Sequence, residues 1–562
     1  MISRRDLLAG AGALAALGPS AIRSAAQGTL SEAELLRFEA LGQVTLLHVT
    51  DLHGQMLPMH FREASVNEGV GEGLGRPPFL TGAALREHFG IPAGTAMAHA
   101  VSHEDFEALA RTLGPMGGLD RLATLVKAIR AERPGRTLLL DGGDTWHGGY
   151  VALASEGAAM VELMGLLKPE AMTSHWEFTY GARRVKALVE ATEAAGTAFL
   201  AHNVQDTEWN EDVFTPARMF ERGGIQVAVI GQAFPYTPIA NPRWMIPDWS
   251  FGIQEEKLAK RVEEVRSEGA EVVVLLSHNG FAVDRKLASR VKGIDVILVG
   301  HTHDCTPKPI QVENTLLIAA GAHGKFLNRL DLEVKGGKVV AWRHALIPVF
   351  STAIRPDAEM AAAIARLRAP HEAMLKRVVG RTETTLYRRG NLNGTWDDVI
   401  CDALLAERDA EIALSPGFRW GPSLLPGSPI TLEDIYEQTA MTYPNAWRME
   451  FTGAQVKEIL EDVCDNLFNP DPYYQQGGDM VRVGGLGFVI RVDRPAGRRI
   501  TDLTLLRRNE PLEAGKRYVL AGWASVNEGT QGPPIWEVVE RHIRRLGTVA
   551  LKPNTAIRLV RG

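Results

Sequence analysis

Short apolar runs recur in the first part of the chain, and their length and β-branched content predict buried β-strands. These runs are Val44 to Thr50, Thr137 to Leu140, Val272 to Leu276 and Ile294 to Val299. Helical segments lie between them, most clearly Leu119 to Ala131 and Lys257 to Glu268. This alternation of strands and helices predicts an α/β fold with a largely parallel sheet.

Each of these strands is followed by side chains that can bind a metal ion. Together with a further cluster at 174–178, the side chains in these positions are Asp51, His53, Asp144, His175, His278, His301 and His303. Because ligands gather at the carboxyl ends of strands in such sheets, we expect them to converge. A ligand set of carboxylates and imidazoles without cysteine favours Mn²⁺, Fe or Zn²⁺, and it suits a pair of ions that share a bridging carboxylate. The sequence therefore predicts a dinuclear metal centre.

Composition and charge narrow the class of protein. The chain has 562 residues, 45% hydrophobic and 23% charged, which is ordinary globular usage and enough for two cores. A formal net charge of −6 does not indicate the excess of basic residues that is typical of nucleic-acid-binding proteins. Three cysteines are too few for a disulfide framework. Arg4 and Arg5, followed by an apolar stretch too short to span a bilayer, predict a twin-arginine signal peptide and a periplasmic location.

Turn residues and periodicity divide the chain into segments. The predicted ranges are 1–26 for the signal peptide, 27–350 for the dimetal domain, 55–116 for an insertion within it, 351–378 for a linker helix and 379–562 for a second domain. A hairpin at 327–349 closes the first domain, and Ala358 to Arg377 has the periodicity and composition of a helix. The second domain alternates helices, such as Gly453 to Cys464, with strands, which indicates another α/β unit.

The polar clusters resemble the motifs of the calcineurin-like metallophosphoesterases, specifically the 5′-nucleotidase branch. That family's D-x-H, G-D, G-N-H-[DE], H and G-H-x-H motifs match Asp51-Leu52-His53, Gly143-Asp144, Ser174-His175-Trp176-Glu177, His278 and Gly300-His301-Thr302-His303. The resemblance implies a two-domain α/β architecture, with an N-terminal four-layer αββα domain and a C-terminal α/β substrate domain. It also implies one metal held by Asp51, His53, Asp144 and His303, and another held by Asp144, His175, His278 and His301.

One cluster departs from this pattern. Trp176 stands where the family has its catalytic His, and Thr179 stands where it has the Asp that orients that His. A sugar alkoxide needs a positioned acid to leave, whereas a thiolate, with an ordinary thiol pKa of about 8.5, can leave without one. The departure therefore indicates a sulfur leaving group. The segments 141–146 and 175–181 are similar to the SoxB family of sulfate thiohydrolases.

The SoxB resemblance implies hydrolysis of a cysteine S-sulfonate, or S-thiosulfonate, on the SoxYZ carrier protein, with Mn²⁺ preferred over Zn²⁺ or Fe. Arg419 matches the arginine that grips the substrate anion in the family's second domain, so Arg419 and Trp176 are the predicted catalytic residues. Tyr443 is predicted to bind substrate with them. Glu177 is predicted to orient the metal ligands without touching the metal. No nucleic acid or membrane partner is expected.

Three alternatives stay open on the sequence. A periplasmic 5′-nucleotidase or UDP-sugar hydrolase shares the metals and the fold, but it should keep a His at the position of Trp176. A non-catalytic, metal-stabilised binding protein is disfavoured because ligands are present at all the motif positions. A cyclic phosphodiesterase relative is compatible with the metal ligands.

Overall fold

The computed structural model describes residues 30–552 and 554–561, so the predicted signal peptide at 1–26 lies outside the described residues. The described chain forms two compact units. Their ranges are 30–59, 83–147 and 154–368 for the first unit, and 60–82, 148–153, 369–552 and 554–561 for the second. Across the part of the chain that the structure describes, no helix is both long and apolar enough to cross a membrane.

The segment 60–82 belongs to the second unit, although the sequence analysis places it in the insertion at 55–116 of the first domain. Its hydrogen bonds give the reason. The amide of Ser423 donates to the carbonyl of His60 at 2.7 Å, and the amide of Glu68 donates to the side chain of Asn391 at 2.5 Å. Since buried backbone groups must find partners, pairing with residues so distant along the chain sets this division, and no local pattern reveals it.

The first unit contains two six-stranded sheets and a small two-stranded one, rather than one largely parallel sheet. Its strands are β1 (Val44–Val49), β2 (Thr137–Asp141), β3 (Ala171–Met172), β4 (Ala198–Phe199), β5 (Gln205–Asp206), β6 (Ala217–Arg222), β7 (Ile225–Gln232), β8 (Trp249–Ser250), β9 (Val272–Ser277), β10 (Val296–Val299), β11 (Ile310–Val312), β12 (Thr315–Ala319), β13 (Phe326–Lys335) and β14 (Lys338–Pro348). The sheet orders are β14-β13-β1-β2-β3-β4 and β11-β12-β10-β9-β7-β6. The central strands pair in parallel, whereas β13, β14, β6 and β11 pair antiparallel with their neighbours.

Seventeen α-helices are described. They are α1 (Glu32–Leu35), α2 (Gly82–Phe89), α3 (Ala96–Val101), α4 (Phe106–Leu113), α5 (Leu119–Glu132), α6 (Tyr150–Ala154), α7 (Ala158–Leu167), α8 (Ala182–Ala194), α9 (Thr237–Ala240), α10 (Glu255–Ser267), α11 (Phe281–Arg290), α12 (Ala358–Arg368), α13 (Glu372–Leu375), α14 (Thr395–Glu407), α15 (Leu432–Thr439), α16 (Gly453–Phe468) and α17 (Ile535–Leu546). Single 3₁₀ turns occur at Gly71–Gly73, Trp176–Tyr180, Arg243–Met245 and Pro472–Tyr474.

The two large sheets face each other across one core. Alternate residues of each central strand, such as Val44 and Leu46 of β1 or Val274 and Leu276 of β9, lie in the same buried cluster. The intervening residues, such as Leu47 and Leu275, are also buried, because helices including α5, α10 and α11 cover the outer faces. Strands covered on both faces read as continuous apolar runs, which is the pattern the sequence shows. The predicted four-layer αββα domain is confirmed.

The linker helix predicted over 351–378 is not one helix. The chain forms α12 up to Arg368 and resumes as the short α13 at Glu372, with turns between them. Pro370 lies in the break, where its missing N–H and its ring are incompatible with a continuous helix.

The second unit is a smaller α/β assembly. Its strands are β15 (Val378–Thr382), β16 (Ile412–Ser415), β17 (Pro429–Thr431), β18 (Trp447–Thr452), β19 (Arg482–Gly484), β20 (Leu486–Arg491), β21 (Ile500–Leu505), β22 (Glu510–Pro511), β23 (Arg517–Gly522), β24 (Thr548–Val549) and β25 (Ile557–Val560). They form sheets in the orders β17-β15-β24, β18-β23-β16-β19 and β22-β21-β20-β25. Helix α16 packs its apolar side, including Val456 and Leu460, into a core that it shares with the two four-stranded sheets. The predicted α/β character is confirmed.

Candidate dimetal centre

Loops after strands of both sheets deliver the predicted metal ligands. Asp51 and His53 follow β1, Asp144 follows β2, and the amide of His53 donates to the carbonyl of Asp144 at 2.7 Å. Five of the predicted ligands have a positive φ, namely Asp51, His53, Asp144, His301 and His303. This conformation costs energy for residues other than glycine, so the surrounding structure must enforce it, as is common at functional sites.

The loop ends also pack closely against one another. Gly300 lies between the end of β10 and His301, and a Cβ atom added to it would lie 2.7 Å from Oγ1 of Thr50 and 2.9 Å from Nδ1 of His278. Only glycine fits this position without displacing the strand ends of both sheets.

The structure brings all the predicted ligands together in two buried groups that share one carboxylate. The groups are Asp51, His53, Asp144 and His303, and Asp144, His175, His278 and His301, with the donor atoms of each group within 4.8 Å of one another. Asp144 Oδ2 lies 3.1 Å from Nε2 of His278, 3.3 Å from Nδ1 of His175 and 3.7 Å from Nε2 of His53. One carboxylate oxygen thus faces imidazoles of both groups, which is the position of a bridging ligand.

The electrostatics of the site fit two divalent cations. Burial raises the pKa of Asp51 to about 7. Burial alone would also raise the pKa of Asp144, but His175 and His278 hold it well below its ordinary value. Burial opposes the charge of His278, yet the carboxylates of Asp144 and Asp51 raise its pKa to about 10. Without cations, the two buried carboxylates therefore keep a proton on His278, and cations bound by the same donors would replace that proton.

Metal binding should release protons, and this gives a first prediction. At pH 7 the metal-free site holds a proton on His278, whose pKa is raised to about 10, and part of one on Asp51, whose pKa is raised to about 7. Metal ligands must be deprotonated, so affinity should rise with pH and fall as the pH drops below 7. Calorimetric titration with Mn²⁺ at pH 7, in buffers of different ionisation enthalpy, should show release of at least one proton for the two ions bound. Equal heats in all buffers would contradict the prediction.

Hydrogen bonds fix the orientation of the ligands. The ring of His278 lies with Nδ1 2.6 Å from the carbonyl of Gly142, an acceptor that places the proton on Nδ1 and turns Nε2 towards the site. Oγ1 of Thr50 donates to Asp51 at 2.6 Å, and the amide of His301 donates to both oxygens of Asp51 at 3.1 Å. Such hydrogen bonds hold each ligand side chain in the orientation that metal binding needs.

Glu177 is buried and accepts hydrogen bonds from the backbone of the loops that carry Asp144 and His175. Its carboxylate accepts hydrogen bonds from the amides of Thr145 at 2.7 Å, His175 at 2.8 Å, and Asp144 and Trp146 at 3.3 Å. A single buried side chain therefore fixes the backbone of the shared ligand and of the ligand in the 174–178 cluster.

Trp176 is buried beside the metal ligands. Its amide donates to Oδ1 of Asp144 at 2.7 Å, and its indole contacts the ring of His175, with centroids 4.7 Å apart. The ring of His147 stacks on the same indole, with ring centroids 5.3 Å apart and an interplanar angle of 11°. The position that carries an acidic imidazole in the family therefore carries an indole in van der Waals contact with imidazoles.

Two histidines near the centre were missed by the sequence analysis. His147 and His323 are both buried, and their rings lie 5.3 Å and 5.5 Å from the ring of His53. Signals for both exist in the sequence, since His147 comes three residues after Asp144 and His323 follows β12 as other ligands follow their strands.

Arg419 and Tyr443, the predicted substrate-binding residues of the second domain, lie in the second unit. Arg419 is mostly buried, and its guanidinium donates to Asp479 at 3.2 Å and to the carbonyl of Gly478 at 2.5 Å. Asp479 also accepts from Arg482 at 2.7 Å. Tyr443 is half-buried, and burial raises the pKa of its hydroxyl. The roles of Arg419 and Tyr443 in substrate binding stay predictions.

Comparison with known proteins agrees with this geometry. Residues 378–540 match the family model of the 5′-nucleotidase C-terminal domain. The structure of the sulfate thiohydrolase SoxB from Thermus thermophilus is 36% identical, with a TM-score of 0.89, over 93% of this chain and 98% of that chain. A 5′-nucleotidase precursor from the same organism shares the fold. It is 22% identical, with a TM-score of 0.73, over 92% of this chain and 99% of that chain. Mouse 5′-nucleotidase is 24% identical over 72% of this chain and 76% of its own length.

These relatives are hydrolases, and this chain has two buried groups of side chains that could each hold a metal ion. The similarity to the SoxB structure extends over nearly all of both chains, across the dimetal domain and the C-terminal domain alike. The chain is therefore a hydrolase that belongs to the SoxB family, in the 5′-nucleotidase branch of the calcineurin-like metallophosphoesterases.

Proposed function

We propose that this protein releases sulfate from a cysteine S-sulfonate, or S-thiosulfonate, on the SoxYZ carrier protein during thiosulfate oxidation. The observation that carries the proposal is the buried indole of Trp176 against His175, where a phosphoesterase of this branch has its acid. The similarity to a sulfate thiohydrolase over both domains supports it.

In the proposed reaction, water attacks the terminal sulfonate sulfur and the bond from that sulfur to the carrier's sulfur breaks. The products are sulfate and either a carrier thiolate, from the S-sulfonate, or a carrier persulfide, from the S-thiosulfonate, and the two protons of the attacking water are released. Two divalent cations, which we propose to be Mn²⁺, would stabilise the sulfonate oxygens and supply hydroxide near neutral pH. Asp51, His53, Asp144, His175, His278, His301 and His303 would hold them.

The chain's own residues then have defined tasks. Glu177 and the hydrogen bonds to Asp51 keep the ligands in place while charge changes nearby. Trp176 excludes water beside the reacting atoms, because its indole is buried among the ligands. Arg419 would grip the sulfonate oxygens through its guanidinium. The leaving thiolate needs no acid, since its conjugate thiol has a pKa of about 8.5.

The carrier provides the direct test, as a second prediction. Metal-loaded protein should release sulfate from SoxYZ that bears the sulfonated cysteine, and release should be absent when that cysteine is replaced. Free thiosulfate should be a poor substrate, because we propose that the carrier delivers the sulfonate to the buried donors. Ion chromatography of sulfate measures all three reactions. Rapid sulfate release from thiosulfate alone would overturn the proposal.

A 5′-nucleotidase activity is the second candidate, because residues 378–540 match that family's C-terminal domain. A third prediction separates the two. Trp176→His with Thr179→Asp restores the family's acid pair, so it should lower thiohydrolase activity and raise phosphate release from a mononucleotide, where general acid help is worth roughly 10²–10⁴-fold. Folding by circular dichroism and metal content serve as controls. A folded, metal-loaded double variant that releases sulfate much faster than the parent would refute the leaving-group explanation.

We further propose that the twin-arginine signal at 1–26 exports the folded protein to the periplasm. That pathway carries folded proteins, so the metals would be bound before export, in keeping with a ligand set buried within the first unit.

A further inference from the structure

A buried imidazole outside both ligand groups lies against Trp176. The ring of His147 is nearly parallel to the indole, at 11° and a centroid distance of 5.3 Å, and the residue is 2% exposed. The same indole contacts the ring of His175, a predicted metal ligand. Trp176 therefore links a ligand to a histidine that the metal groups do not use.

The backbone and side chains around the candidate dimetal centre hold His147 in place. It follows the shared ligand Asp144 by three residues, and its ring lies 5.3 Å from the ring of His53. The amide of the preceding residue, Trp146, donates to Glu177 at 3.3 Å. A side chain held by the backbone of the bridging ligand and by a stacked indole has little freedom to move.

Such an imidazole has a defined chemical use. Stacking occupies the face of the ring, whereas the nitrogens of imidazole lie in its plane and donate or accept there. Donors that are fixed and buried before the reaction stabilise developing negative charge strongly, because little reorganisation accompanies the reaction. A sulfonate group presents three oxygens, which leaves oxygen atoms for donors other than the cations.

We propose that His147 donates a hydrogen bond to a sulfonate oxygen of the substrate, and that Trp176 is a positioning residue that holds the His147 ring by stacking. This inference rests on the proposed function, because the sulfonate is the substrate group of that function. In this proposal Trp176, which stands at the position of the family's catalytic His, acts on the reaction through His147.

The first test compares His147→Phe, which keeps the stacked ring and removes the donor, with His147→Gln, which keeps a donor. His147→Phe should retain the parent's metal content and lose about 10- to 100-fold in kcat/KM for sulfate release, the range expected for a hydrogen bond to a charged group. The affinity for inorganic sulfate, measured by calorimetry, should fall as well, and His147→Gln should recover part of both. His88→Phe, at an exposed histidine of α2, is the matched control.

The second test measures coupling between the two residues. If Trp176 acts through His147, Trp176→Ala should lower kcat/KM, whereas Trp176→Ala in the His147→Phe background should add little. Full additivity of the two losses would overturn the positioning role. An unchanged sulfate affinity in His147→Phe, or loss of metal from it, would overturn the role of His147. If the parent releases no sulfate from the carrier, the proposed function fails, and the comparison of sulfate affinities still decides the inference.

Discussion

Replacing Asp144 by Ala should remove both metal ions and abolish hydrolysis. Oδ2 of Asp144 faces His278, His175 and His53, which come from both ligand groups, and Asp144 is the residue that the two described groups share. Activity should fall by at least about 10²–10³-fold, which is the cost of losing one electrostatic stabiliser of the transition state. Elemental analysis should find close to no tightly bound metal in the folded variant.

Two further variants show whether the bridge explains the loss. Asp144→Asn keeps the shape of the side chain and an acceptor for the amide of Trp176, so it should preserve the fold while losing metal. His53→Ala removes a donor from one group alone and should leave one ion in place. Two tightly held metals in Asp144→Ala would show that the assignment of the bridging ligand is wrong.

Replacing Asp397 by Ala should destabilise the second unit by about 3–5 kcal/mol, the cost of breaking a buried ion pair. Oδ1 of Asp397 accepts from Nε of Arg388 at 2.8 Å, and Oδ2 accepts from the amide of Gly394 at 2.8 Å and lies 3.4 Å from Nε of Arg482. These three charged side chains are fully buried, so the substitution leaves two guanidinium groups without their shared counterion. Urea unfolding followed by circular dichroism should show a lower midpoint.

The same substitution should weaken catalysis at temperatures where the protein is still folded. Arg482 connects this pair to Asp479, which also holds the guanidinium of Arg419, the predicted anion-binding residue.

The matched control for stability is Asp493→Ala. Asp493 pairs with Arg561 at 3.4 Å on the surface, so this substitution should change the free energy of unfolding by no more than about 1 kcal/mol. A change of similar size in both variants would show that the buried network contributes no more than a surface pair.

Local pattern in the sequence was sufficient for several of the strands and helices and for the side chains that could bind metal ions. The run Val44 to Thr50 corresponds to β1 within one residue, and helices α5 and α10 lie where periodicity predicts them. The reason is that burial on both faces of a strand, or on one face of a helix, leaves a periodic trace in neighbouring residues. Metal-binding motifs at strand ends are equally local, so Asp51, Asp144 and His278 could be identified from sequence alone.

Other features depended on contacts between distant parts of the chain. That β1 and β9 lie in different sheets follows from strand pairing, which a run of apolar residues does not specify. The segment 60–82 joins the second unit through partners beyond residue 380. The helix break at Pro370 is an exception, because its cause is local. The helical periodicity on both sides of Pro370 led to the prediction of one continuous helix.

The sequence by itself determined the family, the fold class and the donors that could bind metal, because these depend on residue types and short spacings. Only the tertiary structure decided that Oδ2 of Asp144 lies between two groups of imidazoles and that Arg419 is held by Asp479. It also decided that His147 stacks on Trp176. These relations join residues through packing, and the distances between side chains are set by the whole core rather than by neighbours along the chain.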